Sequence, residues 1–327
     1  MDAQTKRRLW VFCPVYMDVE SFREFRIRAQ KELGKPPRIQ FDIEWVVIDD
    51  TGGADPEIEQ LRFLPNLRVV TPPFNLGHQR AIVHGLRTIS NEIRDEDFVI
   101  TADSDGEDRP EDLHRLLECL LKNEKEVRSL VLARRTQRKE TLLFRVCYFF
   151  YKLFFRTLTG TVIMSGNFAA FRGWFVNNAL FHPTFELSYS SSLVWMPLKK
   201  EYVPCARGTR YFGQSKMGYF KRLLHGVRLL MPFLDRVALR AILLSTGAFV
   251  FSASLGIIVL IVKFATNLAI PGWTSTILGL AVISSLVALG NFTVLFAVFY
   301  QSQSSALQGL DGRSNGESTR RTFKDAA

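Results

Sequence analysis

The sequence predicts a doubly wound α/β domain followed by a pair of membrane-spanning helices. Three observations carry this. Short apolar runs alternate four times with helical segments in the first third of the chain. Each run ends abruptly in polar residues, as parallel strands do where they leave a buried sheet. Finally, the stretches 241–262 and 264–309 hold no charged residue at all, and each is long enough to cross hydrocarbon at about 1.5 Å per residue.

Composition fits that division. The 327 residues carry a formal charge of +10 with 23% charged side chains, yet mean hydropathy is +0.05. Charge and apolarity coexist because they are segregated, most of the apolar excess lying after position 240. A basic balance suits anionic lipid or phosphorylated substrates. It also suits nucleic acid, but no nucleic-acid motif is present and membrane helices account for the same charge. The four cysteines (Cys13, Cys119, Cys147, Cys205) lack metal-ligand spacing and read as reduced and buried. The polar, basic N-terminus has no apolar signal core, so the first domain is expected in the cytoplasm.

Leu9-Trp10-Val11-Phe12-Cys13-Pro14 reads as a first strand ending at the proline, with Tyr16 in the loop beyond. Residues 19–33 form a helix with a basic face. Ile43–Ile48 is the second strand, with Asp49-Asp50 at its carboxyl end. Asp55-Pro56 caps and starts the next helix. A short third strand, 67–70, leads to Asn75-Leu76-Gly77-His78-Gln79-Arg80 and a helix to about Ser90. The fourth strand, 98–102, ends in Asp103-Ser104-Asp105-Gly106-Glu107-Asp108-Arg109-Pro110. The glycine fingerprint of dinucleotide-binding domains is missing after the first strand, and no Gly-x-x-x-x-Gly-Lys phosphate loop occurs.

Ligands of open α/β sheets sit at the carboxyl ends of strands. Asp103 and Asp105, one residue apart there, suit a hard cation that shares its shell with phosphates. Tyr16 can pack on a base, Asp50 can accept from a base nitrogen, and Asp103 can reach a ribose hydroxyl or the metal. The basic run that opens with Arg134 follows a fifth strand, 129–133, and suits phosphate. Ser165-Gly166-Asn167 reads as a turn between two apolar stretches. Tyr202-Val203-Pro204 reads as an edge strand, since Pro204 cannot donate in a central ladder. Arg207, Arg210 and Lys216, in a glycine-containing loop, can hold phosphate groups.

Residues 142–158 and 217–234 are apolar and aromatic with interspersed Arg and Lys, the profile of helices lying in a membrane interface. The spans are expected at about 241–262 and 273–300, broken by Pro271-Gly272, with Trp273 at an interface. Basic residues flank the hairpin outside its short loop, which places both termini in the cytoplasm. The Ser/Gly/Arg-rich stretch 301–327 is expected to be a disordered tail.

Taken together, Pro14-Val15-Tyr16, Asp49-Asp50, Asn75 to Ala81, Asp103 to Glu111 and Arg210-Tyr211-Phe212-Gly213-Gln214-Ser215-Lys216 resemble the membrane-anchored inverting glycosyltransferases of family 2. The nearest branch is the polyprenyl-phosphate glycosyltransferases, which include dolichol-phosphate mannose synthases and bactoprenol glucosyltransferases. The likeness runs from residue 9 to about 235, and the anchor extends it to about 300. It implies a nucleotide-sugar-binding fold of the GT-A type. It implies donor contacts from Pro14, Tyr16, Asp18, Asp50, Asn75, His78, Arg80, Asp103 and Arg134. Asp103, Asp105 and Glu107 would hold Mg²⁺ or Mn²⁺, and Asp105, Arg207, Arg210 and Lys216 would serve catalysis. The chain departs from the pattern at Asp18, where Asn-Glu is usual after the aromatic, at Glu107 in place of Gln, and at Asn167, where an Asp is frequent.

The implied reaction passes a sugar from a nucleoside diphosphate to a polyprenyl phosphate at the cytoplasmic face, with inversion. A phosphate acceptor is already ionised at neutral pH and needs no base, whereas a hydroxyl acceptor does. Two other readings stay open: transfer to a lipid hydroxyl, with Asp108 or Glu107 as base, and a non-catalytic membrane-anchored nucleotide-sugar-binding protein. Interface helices and a two-span anchor are also compatible with a homo-oligomer.

Overall fold

The computed structural model describes residues 7–35, 41–122, 126–135, 142–213, 224, 226–266 and 272–324. They form two compact units, Met1–Phe149 with Val162–Pro232, and Phe150–Thr161 with Phe233–Ala327.

The first unit is a mixed α/β domain on a seven-stranded sheet. The strands are β1 (Arg7–Val15), β2 (Phe41–Asp49), β3 (Leu67–Val70), β4 (Phe98–Thr101), β5 (Ser129–Arg135), β6 (Ser165–Arg172) and β7 (Lys199–Cys205). Their order across the sheet is β3-β2-β1-β4-β6-β5-β7. All neighbours are parallel except where β6 runs antiparallel between β4 and β5. Helices α1 (Val19–Leu33) and α3 (Pro110–Lys122) share a core with the odd-numbered residues of β1, including Leu9, Val11 and Cys13. Trp45 of β2 sits in that core, its ring met edge-on by Phe22 and Phe25 at 6.1 and 6.4 Å. Helix α2 (His78–Thr88) lies against β2 so closely that a β-carbon on Gly85 would stand 2.4 Å from Ile48.

Two expectations change and one is refined. The first strand does not end at Pro14 but continues to Val15. The Phe12 carbonyl accepts from Ala102 on the β4 side, and the Val15 carbonyl accepts from Asp50 on the β2 side. Pro14 therefore turns toward β4 just past its last paired residue, so its missing N–H costs no ladder bond. The helix expected after Asp55-Pro56 forms over 56–63 as a 3-10 helix, with the Asp55 carboxylate accepting from the Glu57 amide at 3.0 Å as expected of a cap. Ser165-Gly166-Asn167 is not a turn: it opens β6. Alternation along a short run does not reveal an antiparallel strand inserted between two parallel ones, because that placement depends on long-range pairing.

In the second unit, the end of helix α4 (Leu142–Thr159) packs against helix α7 (Leu234–Ala265). Phe155 meets Phe233 at 5.8 Å, edge to face. Arg236 donates to the Thr159 carbonyl at 3.5 Å, and Arg240 to that of Arg156 at 3.3 Å, so two cations cover the open carbonyls of the α4 C-terminus. The short helices α5 (Thr184–Leu187) and α6 (Tyr189–Trp195) belong to the first unit. Helix α8 (Trp273–Lys324) packs along α7, with Gly256 facing Leu278 and Ala281. Both are long and apolar enough to cross a membrane, and only 17% and 11% of their most apolar windows are buried, unlike paired helices of a soluble core. Helix α8 runs on to Lys324, through the segment expected to be disordered. No proline stands between Gly272 and that point to stop it.

Helix α4 exposes Phe149, Phe150, Leu153 and Phe154. Of the second expected interface helix, 217–234, residues 217–223 and 225 lie outside the described residues, and the described part is not one continuous helix: a turn at 229–230 and a 3-10 turn at Met231–Phe233 precede α7. A chain truncated after Pro232 is expected to sediment with anionic liposomes at low salt and less so at about 1 M salt, where screening shortens to about 3 Å. Recovery wholly in the supernatant at low salt would show that the aromatic face does not bind a membrane surface.

Candidate functional site

The strand ends gather the polar residues at one edge of the sheet. Beyond β2, the Asp50 carboxylate accepts from the Leu76 and Gly77 amides at 2.9 and 3.0 Å, and the Asn75 side chain donates to the Asp50 carbonyl at 2.7 Å. Asp50 thereby ties the β2 end to the loop entering α2. Burial raises its pKa, with those two amides and His78 opposing. Sequence reasoning assigned Asp50 to a base nitrogen, but one of its oxygens is committed to the backbone. Tyr16 is exposed beside β1, Met17 has the left-handed φ of 48°, and Asp18 precedes α1 without capping it through its side chain. Arg80 donates to the Glu186 carbonyl at 3.0 Å and lines a groove of about 410 Å³ with Leu76, His84 and Arg87.

The loop after β4 concentrates negative charge. The Asp103 amide donates to buried Asp108 at 3.0 Å, and the Glu107 amide donates to Asp105 at 2.9 Å. Burial and the charge of Asp103 push Asp105 up to about 6 and Asp108 up to about 7. Burial would raise Glu107 as well, but Arg207 and Arg210 outweigh it and hold this carboxyl below its usual range. From β6, the Asn167 side-chain nitrogen lies 3.4 Å from Asp103 Oδ1. Its own Oδ1 is buried with no hydrogen-bond partner. The Thr101 hydroxyl, itself 3.0 Å from the Tyr189 hydroxyl, donates to the Asn167 carbonyl at 2.6 Å and fixes this stretch of β6 to β4.

Two further segments close on this loop. Arg135, the last residue of β5, reaches Asp108 at 3.4 Å. Arg134, which the sequence favoured, is exposed instead. The β5–β6 register shifts between Leu132 and Arg134, and such an irregularity re-aims the residues that follow. After β7, Arg207 pairs with Glu107 at 2.6 Å, and Arg210 bridges Asp105 at 2.6 Å and Glu107 at 3.3 Å. Lys216 lies outside the described residues. Asp108, one of the two acids offered as a base, is thus engaged by Arg135, the second member of the basic run.

This donor set suits a hard divalent cation. Carboxylate oxygens of Asp103, Asp105 and Glu107 come from one short loop, and Asn167, whose nitrogen reaches Asp103, has a buried oxygen with no hydrogen-bond partner. Among the described residues no three His, Cys, Asp or Glu side chains converge as a ready-made metal cage. Guanidinium groups hold Asp105 and Glu107 instead.

Residues 27–177 match the family model described as glycosyl transferase family 2. No match is found among curated proteins. Of solved structures, 4-diphosphocytidyl-2C-methyl-D-erythritol synthase is 12% identical, covering 68% of this chain and all of its own, with a TM-score of 0.35. The mannosyltransferase PcManGT from Pyrobaculum calidifontis, in complex with GDP-Man and Mn2+, is 18% identical, covering 87% of this chain and 88% of its own, with a TM-score of 0.41. On the family match alone, residues 27–177 hold a family 2 glycosyltransferase domain.

Proposed function

We propose that this family 2 glycosyltransferase domain passes its sugar to a polyprenyl phosphate at the cytoplasmic face of a membrane, with inversion at the sugar carbon. The observation that carries the acceptor class is the engagement of both acids that could serve as a base. Glu107 is held ionised by two arginines, which weakens it as a proton acceptor. Asp108 is buried, one oxygen taken by the Asp103 amide and the other facing Arg135. A hydroxyl acceptor would need one of them free. An ionised phosphate needs neither.

In this reading Tyr16 offers a face to the base, and Asp50 fixes the loop of Asn75 and His78 beside it. Asp103, Asp105 and Glu107 would hold Mg²⁺ or Mn²⁺. Once bound, such a cation neutralises charge on the leaving diphosphate. Arg207, Arg210 and Lys216 would meet the acceptor phosphate, which is confined to the bilayer surface. They precede the two apolar helices closely in sequence, as groups that reach such a head group should.

The test is a panel of nucleotide sugars with polyprenyl phosphate or the unphosphorylated polyprenol, scored for organic-phase product. Polyprenyl phosphate is expected to be glycosylated about a hundredfold faster or more, since among the described residues Glu107 and Asp108 are both engaged and neither is free to activate the hydroxyl. Equal rates, or a preference for polyprenol or diacylglycerol, would replace this acceptor with a lipid hydroxyl. Donor binding with no transfer to any acceptor would favour a binding protein.

A further inference from the structure

Two loops are zipped together at the site. The Gly208 amide donates to the Glu107 carbonyl and the Tyr211 amide to the Asp105 carbonyl, both at 2.9 Å. The backbones approach so closely that a β-carbon on Gly208 would stand 2.0 Å from the Gly106 carbonyl oxygen, and one on Gly106 would stand 2.6 Å from that of Thr209. The Tyr211 ring lies against Gly106, and the Arg28 guanidinium lies over the same ring at 4.6 Å. This docking delivers Arg210 to both Asp105 and Glu107, and Arg207 to the second oxygen of Glu107. One guanidinium thus spans two of the three carboxylates that suit the cation.

We propose that the 206–211 loop is an exchangeable occupant of the cation site: Arg210 and Arg207 hold Asp105 and Glu107 until a divalent cation takes those oxygens, and the exchange frees both arginines for a phosphate. The inference rests on the reading of Asp103, Asp105 and Glu107 as cation ligands. Electrostatics supports it. A guanidinium at 2.6 Å competes with a cation for the same carboxylate oxygen, and two cations close together repel. Asn167, whose side-chain nitrogen faces Asp103, keeps a buried oxygen with no hydrogen-bond partner, an unsatisfied polar group at the site independent of the arginines. The order of events follows. The phosphate-binding arginines become available only once the site is charged, so an unloaded enzyme does not capture the acceptor unproductively.

Mn²⁺ affinity of the full-length protein in detergent, measured by electron paramagnetic resonance of free Mn²⁺ without any substrate, tests the exchange. Arg210→Ala should bind Mn²⁺ about tenfold more tightly, the worth of one competing charge-assisted contact. Arg210→Lys keeps the charge but cannot bridge two carboxylates with a planar fork, so it should also bind at least about threefold more tightly. If Arg210→Ala tightens binding while Arg210→Lys matches the unmodified protein, only through-space charge is at work and the exchange is wrong. If neither variant tightens binding while Asp105→Asn abolishes it, the cation site stands and the exchange falls. If the unmodified protein binds no Mn²⁺ and Asp105→Asn changes nothing, the cation reading falls and takes the exchange with it. A second measurement needs no variant. Tryptic cleavage after Arg207 and Arg210 should quicken severalfold in Mn²⁺ relative to chelator, with other sites as internal reference. An unchanged or slower rate overturns the proposal.

Discussion

Replacing Asp105 with alanine is expected to cut sugar transfer by about a hundredfold or more, about 3 kcal/mol of lost transition-state stabilisation. Asp105 stands where the loop after β4 meets the arginine loop, and its carboxylate is crowded by Asp103. In the proposed reaction it is the acid that brings a cation to the leaving diphosphate. Alanine also removes the acceptor of the Glu107 amide, so the loop could shift. Asp105→Asn separates the two effects, because the amide oxygen keeps that hydrogen bond while the charge is gone. Asn should be nearly as inactive as Ala, with an unchanged thermal midpoint. Excess chelator should abolish transfer by the unmodified protein, and Mg²⁺ or Mn²⁺ should restore it. Full activity of Asp105→Asn, or full activity in chelator, would remove the cation from the reaction.

Arg135→Ala is expected to cost about 2–3 kcal/mol of domain stability, read as a lower denaturant midpoint. The change leaves Asp108, which is buried, without the cation facing it. Asp108 can answer by taking up a proton, and this keeps the loss below that of a fully ionised orphan. Adding Asp108→Asn in the same chain should restore most of the stability, because no charge is then left buried. The carboxamide oxygen can still accept from the Asp103 amide. Stability equal to the unmodified protein in Arg135→Ala alone would show that the 3.4 Å contact carries no weight. No recovery in the double variant would show that Arg135 acts through packing rather than through the Asp108 charge.

What the sequence determined by itself is local in origin. Apolar runs that stop at Asp49-Asp50 and at Asp103 mark strand ends, because a buried strand cannot carry carboxylates until it leaves the sheet. Asp55 before Pro56 marks a helical start because that side chain meets an unsatisfied amide. Long uncharged stretches mark apolar helices, since length and hydropathy are properties of the segment.

What only the tertiary structure decided depends on partners far apart in the chain. β6 is antiparallel and central because β4 and β5 accept it on either side, and nothing within Ser165–Arg172 states that. Its placement turns Asn167 from a turn residue into a neighbour of Asp103. The choice of Arg135 over Arg134 follows a register irregularity that arises only when β5 pairs. Asp50 is committed to the Leu76 and Gly77 amides because a loop from another strand folds over it. The pairing of Arg207 and Arg210 with Glu107 and Asp105 joins segments about a hundred residues apart, held by backbone contacts that only glycines permit. Composition could place acids and bases in the same protein. Their distances, and so which charges neutralise which, come from the packing of the sheet.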